Sequence, residues 1–232
     1  MKTPVLVCGV VFLGLVGGAA GYEAGVLTQP SITSPLGTAV PLAAATPSVS
    51  PHRKTPEPYP LPAFTTAGLR FHDVDFTVQG TTGGQTRLSV RAPRGWQLVR
   101  ATERPEEVKF LDPLRERGIR VESGFPPALT TTEARLKLVR ELQESQPYEN
   151  NLHISSQGED VVIGEDGEPR TVSTLIYTYI PTKTLRYVIV RWVATGPDQR
   201  ATVEMSITGL PQDAKGLAAV VAEASRTVEL RN

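Results

Sequence analysis

Residues 170–194, RTVSTLIYTYIPTKTLRYVIVRWVA, form two runs rich in β-branched and aromatic residues, and almost none of their side chains can move a proton. Both parities of each run are apolar: Val172 and Tyr177 fall on opposite faces of the first strand, and residues 187–193 repeat the pattern. A strand open to water on one face would instead alternate cleanly between apolar and polar residues. The stretch therefore predicts two strands covered on both faces and joined, through residues 181–184, as an antiparallel hairpin.

The sequence on either side of this hairpin predicts further strands. Residues 69–79 and 86–92 alternate between apolar and polar side chains, and the turn residues GTTGG lie between them, so they predict a second hairpin. Asp166 and Gly167 predict the turn that leads into residue 170. Shorter strands are expected at residues 96–99, 107–112, 117–124, 151–157, 160–164 and 201–209. The last of these follows the opening hairpin directly, which predicts a three-stranded meander.

Two helices complete the pattern. Thr130 and Glu133 have the spacing of a capping box, and the apolar positions that follow predict an amphipathic helix over residues 131–145, ended by Pro147. Residues 213–228 predict a second helix with an apolar stripe that can cover one face of a sheet. The order of elements predicts an α+β fold, in which helices flank an antiparallel β-sheet.

The N-terminus has the pattern of a membrane-directed segment. Residues 5–22 are apolar or small, Lys2 precedes them and Glu23 follows, which predicts insertion with the N-terminus in the cytoplasm. Two fates stay open: the segment remains as a single transmembrane helix, or a signal peptidase cleaves near Ala20. Residues 1–27 are therefore assigned as a transmembrane anchor or signal peptide, with the rest of the chain outside the cell membrane or secreted.

Residues 28–67 have the composition of a disordered stalk. Residues 28–62 hold nine of the twenty prolines among Ser, Thr and Ala, and proline both fixes φ and lacks a backbone donor. Within them PEPYPLP (56–62) could be a ligand of a proline-recognition module, but a plain spacer is favoured because such modules are mostly cytoplasmic. The remaining residues, 68–232, are predicted to form one globular domain.

Charge and cysteine content narrow the function classes. Lys plus Arg and Asp plus Glu number 24 each, so the overall field gives no support to a nucleic-acid partner. The single cysteine, Cys8, excludes a disulfide within the chain and a cysteine-based metal site. Cys8 is not a lipidation site either, because only seven residues precede it and Val7 stands where a small residue is required.

Several motifs in residues 70–230 resemble one known family. They are APRGWQLV (92–99), the capped helix TTTEARLKLVREL (130–142), DGEPRTVSTLIYTYIP (166–181) and the terminal strand followed by a helix. Together they resemble the PsbP-like α/β/α sandwich family, most closely the LpqN-type exported proteins of actinobacteria. The resemblance implies an accessory or binding role without known catalytic residues. Because this chain lacks a lipobox, lipid attachment is not implied for it.

The residues able to do chemistry do not form a recognisable catalytic motif. The histidines are His52, His72 and His153, and neither a nucleophile elbow nor a glycine-rich oxyanion loop accompanies them. Asp73 and Asp75 lie on one strand face, as metal or carbohydrate sites sometimes require, but a solvated face explains them. Residues 165–168, EDGE, lack the spaced ligands of a calcium loop and are interpreted as a turn.

Four aromatic residues remain as candidates for a binding groove: Tyr177, Tyr179, Tyr187 and Trp192. Such residues can line a groove for a sugar or peptide, but core and cross-strand packing is the favoured interpretation. No catalytic, cofactor-binding or metal-binding residue is therefore assigned.

The sequence predicts a non-enzymatic extracytoplasmic domain, tethered to the membrane or secreted, with an accessory or binding role at the cell envelope. The alternative is a cell-envelope hydrolase that uses carboxylates, since acids are plentiful although no spacing singles out a pair. The expected partner is an unidentified protein or envelope component, with the membrane contacted through the N-terminal segment. No cofactor and no nucleic acid are expected, and the domain is expected to be a monomer.

Overall fold

A computed structural model describes residues 52–231, apart from Thr82 and Pro127. These residues form ten strands and two α-helices, in the order β1 (Phe71–Gln79), β2 (Gln85–Pro93), β3 (Gln97–Val99), β4 (Glu107–Leu111), β5 (Gly118–Ser123), α1 (Thr131–Ser145), β6 (His153–Ile163), β7 (Pro169–Tyr179), β8 (Arg186–Val193), β9 (Val203–Gly209), α2 (Ala214–Thr227) and β10 (Glu229–Arg231). The fold is α+β, as predicted. The predicted anchor or signal peptide, Cys8 and the predicted stalk up to Pro51 lie outside the described residues.

A seven-stranded antiparallel sheet forms the centre of the domain, in the order β3-β4-β5-β9-β8-β7-β6. The stretch at residues 170–194 supplies β7 and β8, which pair as the predicted hairpin. Val172 and Ile189 face the main core, whereas Leu175 and Tyr177 lie on the other side, where α1 packs on β7 and β8. All four side chains are buried, so the prediction that both faces are covered is confirmed.

A second, smaller sheet departs from the predicted single sheet. The predicted hairpin forms β1 and β2, but β2 also pairs with β10, a strand that the sequence did not predict. The hairpin turns its apolar face onto the large sheet instead of extending it: Phe76 packs edge-to-face on Phe110, with ring centroids 5.9 Å apart. The core lies between the two sheets and α2 because the apolar faces of all three meet there.

The predicted helices are confirmed. Thr130 and Glu133 form a reciprocal capping box at the start of α1, and Leu142 is buried beneath that helix. In α2, Leu217 and Val220 belong to the main core. Among the described residues, no helix combines the length and apolar character needed to cross a bilayer.

Two predicted strands, 151–157 and 160–164, form the single strand β6. The intervening Gly158 and Glu159 stay extended and pair with Thr174 and Ser173 of β7. The register shifts once, between Ile154 and Ser156. The polar residues between the predicted strands do not interrupt β6 because it lies at the edge of the sheet, where polar side chains reach water.

Residues 54–64, called the strap below, lie within the predicted stalk and are hydrogen-bonded to the folded domain. Lys54 Nζ donates to Asn150 Oδ1 at 2.6 Å and to Pro181 O at 2.7 Å. At the other end of the strap, Phe64 N donates to Asp213 Oδ1 at 2.7 Å. The Phe64 ring packs on Trp96 at a centroid distance of 5.8 Å.

The contact between the strap and α2 makes a prediction about Gly216. A Cβ at this position would lie 2.5 Å from Phe64 O and against the Phe64 ring, so Gly216→Ala should destabilise the domain by about 1–3 kcal/mol through overpacking. Without a bound strap, the same substitution should instead stabilise the helix by up to about 1 kcal/mol. Urea denaturation measures the sign of the change. In a Phe64→Ala background the cost of Gly216→Ala should shrink, and a stabilising Gly216→Ala in the wild-type background would contradict the strap contact.

Candidate functional site

Three glutamates lie in one cross-strand row of the large sheet. Glu122 in β5 is directly opposite Glu107 in β4 on one side and Glu204 in β9 on the other. Their neighbours Val121 and Val203 belong to the main core, so strand alternation places the glutamates on the opposite face. Like charges directly opposite one another destabilise a sheet. The row therefore requires cations close by.

The next row along the same strands supplies those cations. Arg120 Nη1 lies 3.3 Å from Glu107 Oε2 and 3.2 Å from Glu122 Oε2, and Arg120 Nη2 donates to Glu204. Lys109 Nζ lies 2.9 Å from Glu107 Oε1. Arg104, in the loop before β4, also approaches this group, with Nη2 3.8 Å from Glu122 Oε2. The charged face is defined here as these six side chains: Glu107, Glu122, Glu204, Arg104, Lys109 and Arg120.

Burial changes the proton affinities on the charged face. Glu107 is 3% exposed and Glu122 is 18% exposed. Burial raises the pKa of Glu122 to about 7, and although Arg120 opposes the shift, Glu204 adds to it. For Arg120, burial lowers the pKa, but Glu204, Glu122 and Glu107 outweigh that effect and hold it above its ordinary value. The Arg120 Nε atom is buried and has no hydrogen-bond partner within the described part of the chain.

Aromatic side chains border the charged face on the side nearest α1. Trp192 Nε1 donates to Glu204 Oε2 at 2.9 Å, so the indole is tied to the carboxylate row. The rings of Tyr177 and Tyr179 pack together with centroids 5.9 Å apart. Burial raises the pKa of Tyr177 well above its ordinary value. These three side chains are buried, and Tyr187 packs half-buried against the main core, so the favoured interpretation as packing residues is confirmed.

The other sequence candidates do not converge on one place. His72 and Asp73 lie on β1 of the small sheet, where His72 Nδ1 is 3.2 Å from Ala92 O and Asp73 forms a 2.9 Å ion pair with Arg91. Asp75 lies 3.6 Å from Arg231. His153 begins β6, on the far edge of the large sheet. His52 lies on an exposed segment that belongs to neither sheet.

The segment EDGE (165–168) is the turn between β6 and β7, as predicted. Gly167 has a φ of 83°, a left-handed conformation that glycine adopts readily. Asp166 Oδ2 lies 2.7 Å from Arg170 Nη2, and Glu165 Oε1 lies 2.7 Å from Arg91 Nη2. These two acids are therefore used in ion pairs that fix the turn. Across the described ranges, no three His, Cys, Asp or Glu side chains are grouped so as to hold a metal ion.

An open groove lies beside one end of the charged face. It has a volume of about 500 Å³, and its lining includes Glu107, Thr77, Gln79 and Arg100. Arg100 Nη1 donates to Thr77 O at 2.6 Å across it. The groove is open, so the charged face is bordered here by solvent-accessible surface and not by a deep cleft.

Sequence reasoning missed the charged face. Its local signal is the alternation of charged with apolar residues in β4 and β5, where Glu107 and Lys109 alternate with Val108, and Arg120 and Glu122 flank Val121. The pairing of β5 with β9 brings Glu204 into the same row, and Glu204 lies 84 positions after Arg120 in the chain. A scan of the chain against protein-family models gives no match, and no curated protein matches it.

The raised pKa of Glu122 makes a prediction about pH. A carboxyl group whose pKa rises from 4.5 to about 7 on folding favours the folded state while protonated, so this contribution is complete below about pH 4.5 and is lost as pH rises through about 7. The glutamine side chain in Glu122→Gln cannot ionise, so this variant should not lose stability as the pH rises. We expect the variant to gain about 2–3 kcal/mol relative to wild type between pH 4.5 and pH 8, measured by urea denaturation.

Glu141→Gln, an exposed glutamate on α1, is the matched control and should run parallel to wild type across this pH range. Carboxyl ¹³C NMR of labelled glutamate reads the titration of Glu122 directly. Parallel stability curves for Glu122→Gln and wild type would show that Glu122 does not carry the shifted proton.

Proposed function

We propose that this protein is a non-enzymatic extracytoplasmic binding domain that acts as an accessory protein at the cell envelope. Residues 1–27 would tether it to the membrane, or release it after cleavage near Ala20, and residues 28–67 would form the linker to the globular domain. The proposed fold type is the PsbP-like sandwich, of the LpqN type. The observation that carries the proposal is that every carboxylate of the charged face lies within 4 Å of a cation.

The pairing of the carboxylates supports a binding role, because catalysis requires a carboxyl group that can reach a substrate. A general acid or base must come within hydrogen-bond reach of its substrate. Glu107 is almost completely buried and contacts both Lys109 and Arg120, and Glu204 is held by Arg120 and Trp192. These contacts engage the carboxylates with neighbouring side chains. A binding domain makes no such demand, because it can use an exposed patch or a strand edge.

One observation favours the alternative, a hydrolase that uses carboxylates. Glu122 has a pKa of about 7 and lies next to two further carboxylates, and glycosidases use one protonated and one ionised carboxyl group. Glu122 and Glu107 both approach Arg120 Nη1 within 3.3 Å. This makes Glu122 the residue to substitute when testing for activity.

The localisation part of the proposal predicts where the chain is found. In cells that express it with a C-terminal tag, protease added outside should remove the tag, and crosslinking on intact cells should join the chain to a protein or envelope component. A tag protected from protease until the cells are lysed would contradict the outward orientation. Recovery of only free, uncrosslinked chain from the medium would contradict both the tether and an envelope partner.

The binding part of the proposal predicts no turnover. Purified protein should release no product from chromogenic glycosides or from cell-envelope polysaccharide, and Glu122→Gln should behave like wild type. If wild type shows turnover that Glu122→Gln loses and Glu141→Gln keeps, the binding proposal is wrong and the hydrolase alternative is supported.

A further inference from the structure

We propose that the outer edge of β6 binds an extended, basic segment of a partner protein, which adds to the large sheet as an eighth strand. This inference rests on the proposed binding function and names the surface and the chemistry of the partner. It is carried by three properties of β6 and the turn after it: an open backbone edge, exposed apolar side chains and a negative charge that is only partly compensated.

The backbone edge of β6 is long and open. β6 is the last strand of the large sheet and spans eleven residues, and among the described strands it pairs with β7 alone. Strands average about 5–6 residues, and the opposite edge strand, β3, has only three. Within the described ranges, no backbone group of β6 bonds to a further strand, and the N–H of Val161 donates to the neighbouring Asp160 carboxylate at 2.8 Å. An open edge of this length is a template for strand addition.

Near its C-terminal end, β6 exposes two apolar side chains that a bound strand could cover. Val161 is 56% exposed and Ile163 is 58% exposed, and their spacing of two places them on the same face. An added strand would shield both from water. Burial of aliphatic side chains is the term that would stabilise the complex beyond its backbone hydrogen bonds.

The charge of this edge selects the partner. Residues 153–169 contain five acids and no Lys or Arg: Glu159, Asp160, Glu165, Asp166 and Glu168. Two of them, in the turn, form ion pairs: Glu165 with Arg91 of β2 and Asp166 with Arg170, at the start of β7. Among the described residues, the other three form no ion pair within 4 Å, although Glu159 accepts a hydrogen bond from Thr132. Lys or Arg side chains on an added strand would compensate them.

Charge and composition disfavour two other occupants. In a second copy of this chain, β6 would bring a second acid-rich, Lys- and Arg-free edge against the first, and like charges oppose that pairing. The chain's own residues 28–51 contain no Lys or Arg and have five prolines, which cannot donate to a strand ladder. A basic, extended segment of another protein could pair with the backbone groups of the β6 edge and also compensate its negative charge.

The test uses the purified domain with its strap and a labelled peptide of about ten residues that alternates lysine and valine. Two control peptides separate the forces: one replaces lysine by glutamate, and one keeps lysine but carries N-methyl groups on alternate backbone amides. We expect the lysine peptide to bind, the glutamate peptide to fail and the N-methylated peptide to bind at least about tenfold more weakly. Hydrogen exchange should show new protection in β6.

Two matched variants of the protein locate the site. Val161→Pro removes a donor that does not serve the pairing with β7, and proline is tolerated on an edge strand whose N–H faces outward. It should weaken peptide binding at least about tenfold, while Val161→Ala, which keeps the N–H, should weaken it by less than about threefold. Circular dichroism and thermal melting must match between the two. The exposed double variant Glu159→Lys/Asp160→Lys should also weaken binding about tenfold.

The outcomes separate this inference from the proposed function. Equal binding by the N-methylated peptide, equal binding by Val161→Pro, or protection outside β6 would each overturn strand addition. If wild type and Val161→Pro capture the same partner equally on intact cells, the edge is wrong but the binding function stands. If wild type captures nothing on cells while the peptide still binds at β6 of the purified domain, the proposed function fails and the edge inference stands.

Discussion

The guanidinium of Arg120 permits the register of the three central strands. Glu107, Glu122 and Glu204 lie directly opposite one another because β4, β5 and β9 pair in that register, and three like charges in one row would drive the strands apart. Arg120 contacts all three carboxylates from the next row. Burial strengthens these contacts and also makes them obligatory, because a buried charge without a partner is very costly. The same burial raises the pKa of Glu122 to about 7, so its carboxyl group is only partly ionised near neutral pH.

Three regions of the large sheet differ in how far their side chains and backbone groups are already packed or paired. Its β7–β8 part is apolar on both faces and is covered by α1 on one side and by the main core on the other. The β4–β5–β9 part carries the charged face, where paired ions satisfy one another. Among the described strands of this sheet, the β6 edge combines exposed apolar side chains, acids that form no ion pair within 4 Å and an open backbone. The partner strand proposed above would therefore bind at β6, because the side chains of the other two regions are already packed or paired within the domain.

The sequence predicted the local elements well and the long-range arrangement poorly. The period-two pattern of β7 and β8, the capping box at Thr130 and the turn at Gly167 are local properties, and each is confirmed. The pairing of β10 with β2 and of β9 with β5 joins residues far apart in the chain, and no local pattern encodes it. The charged face depends on the second pairing, so it could not be predicted although each of its strands was.

The strap is hydrogen-bonded to the domain near the N-terminal end of β6. The chain enters the domain at Lys54, which bonds to Glu149 and Asn150 just before β6 begins at His153. Val161 lies eight residues farther along an extended strand, or about 26 Å away at 3.3 Å per residue. The hydrogen bonds of Lys54 therefore lie near the N-terminal end of β6, whereas the acids and the exposed aliphatic side chains of β6 lie toward its C-terminal end.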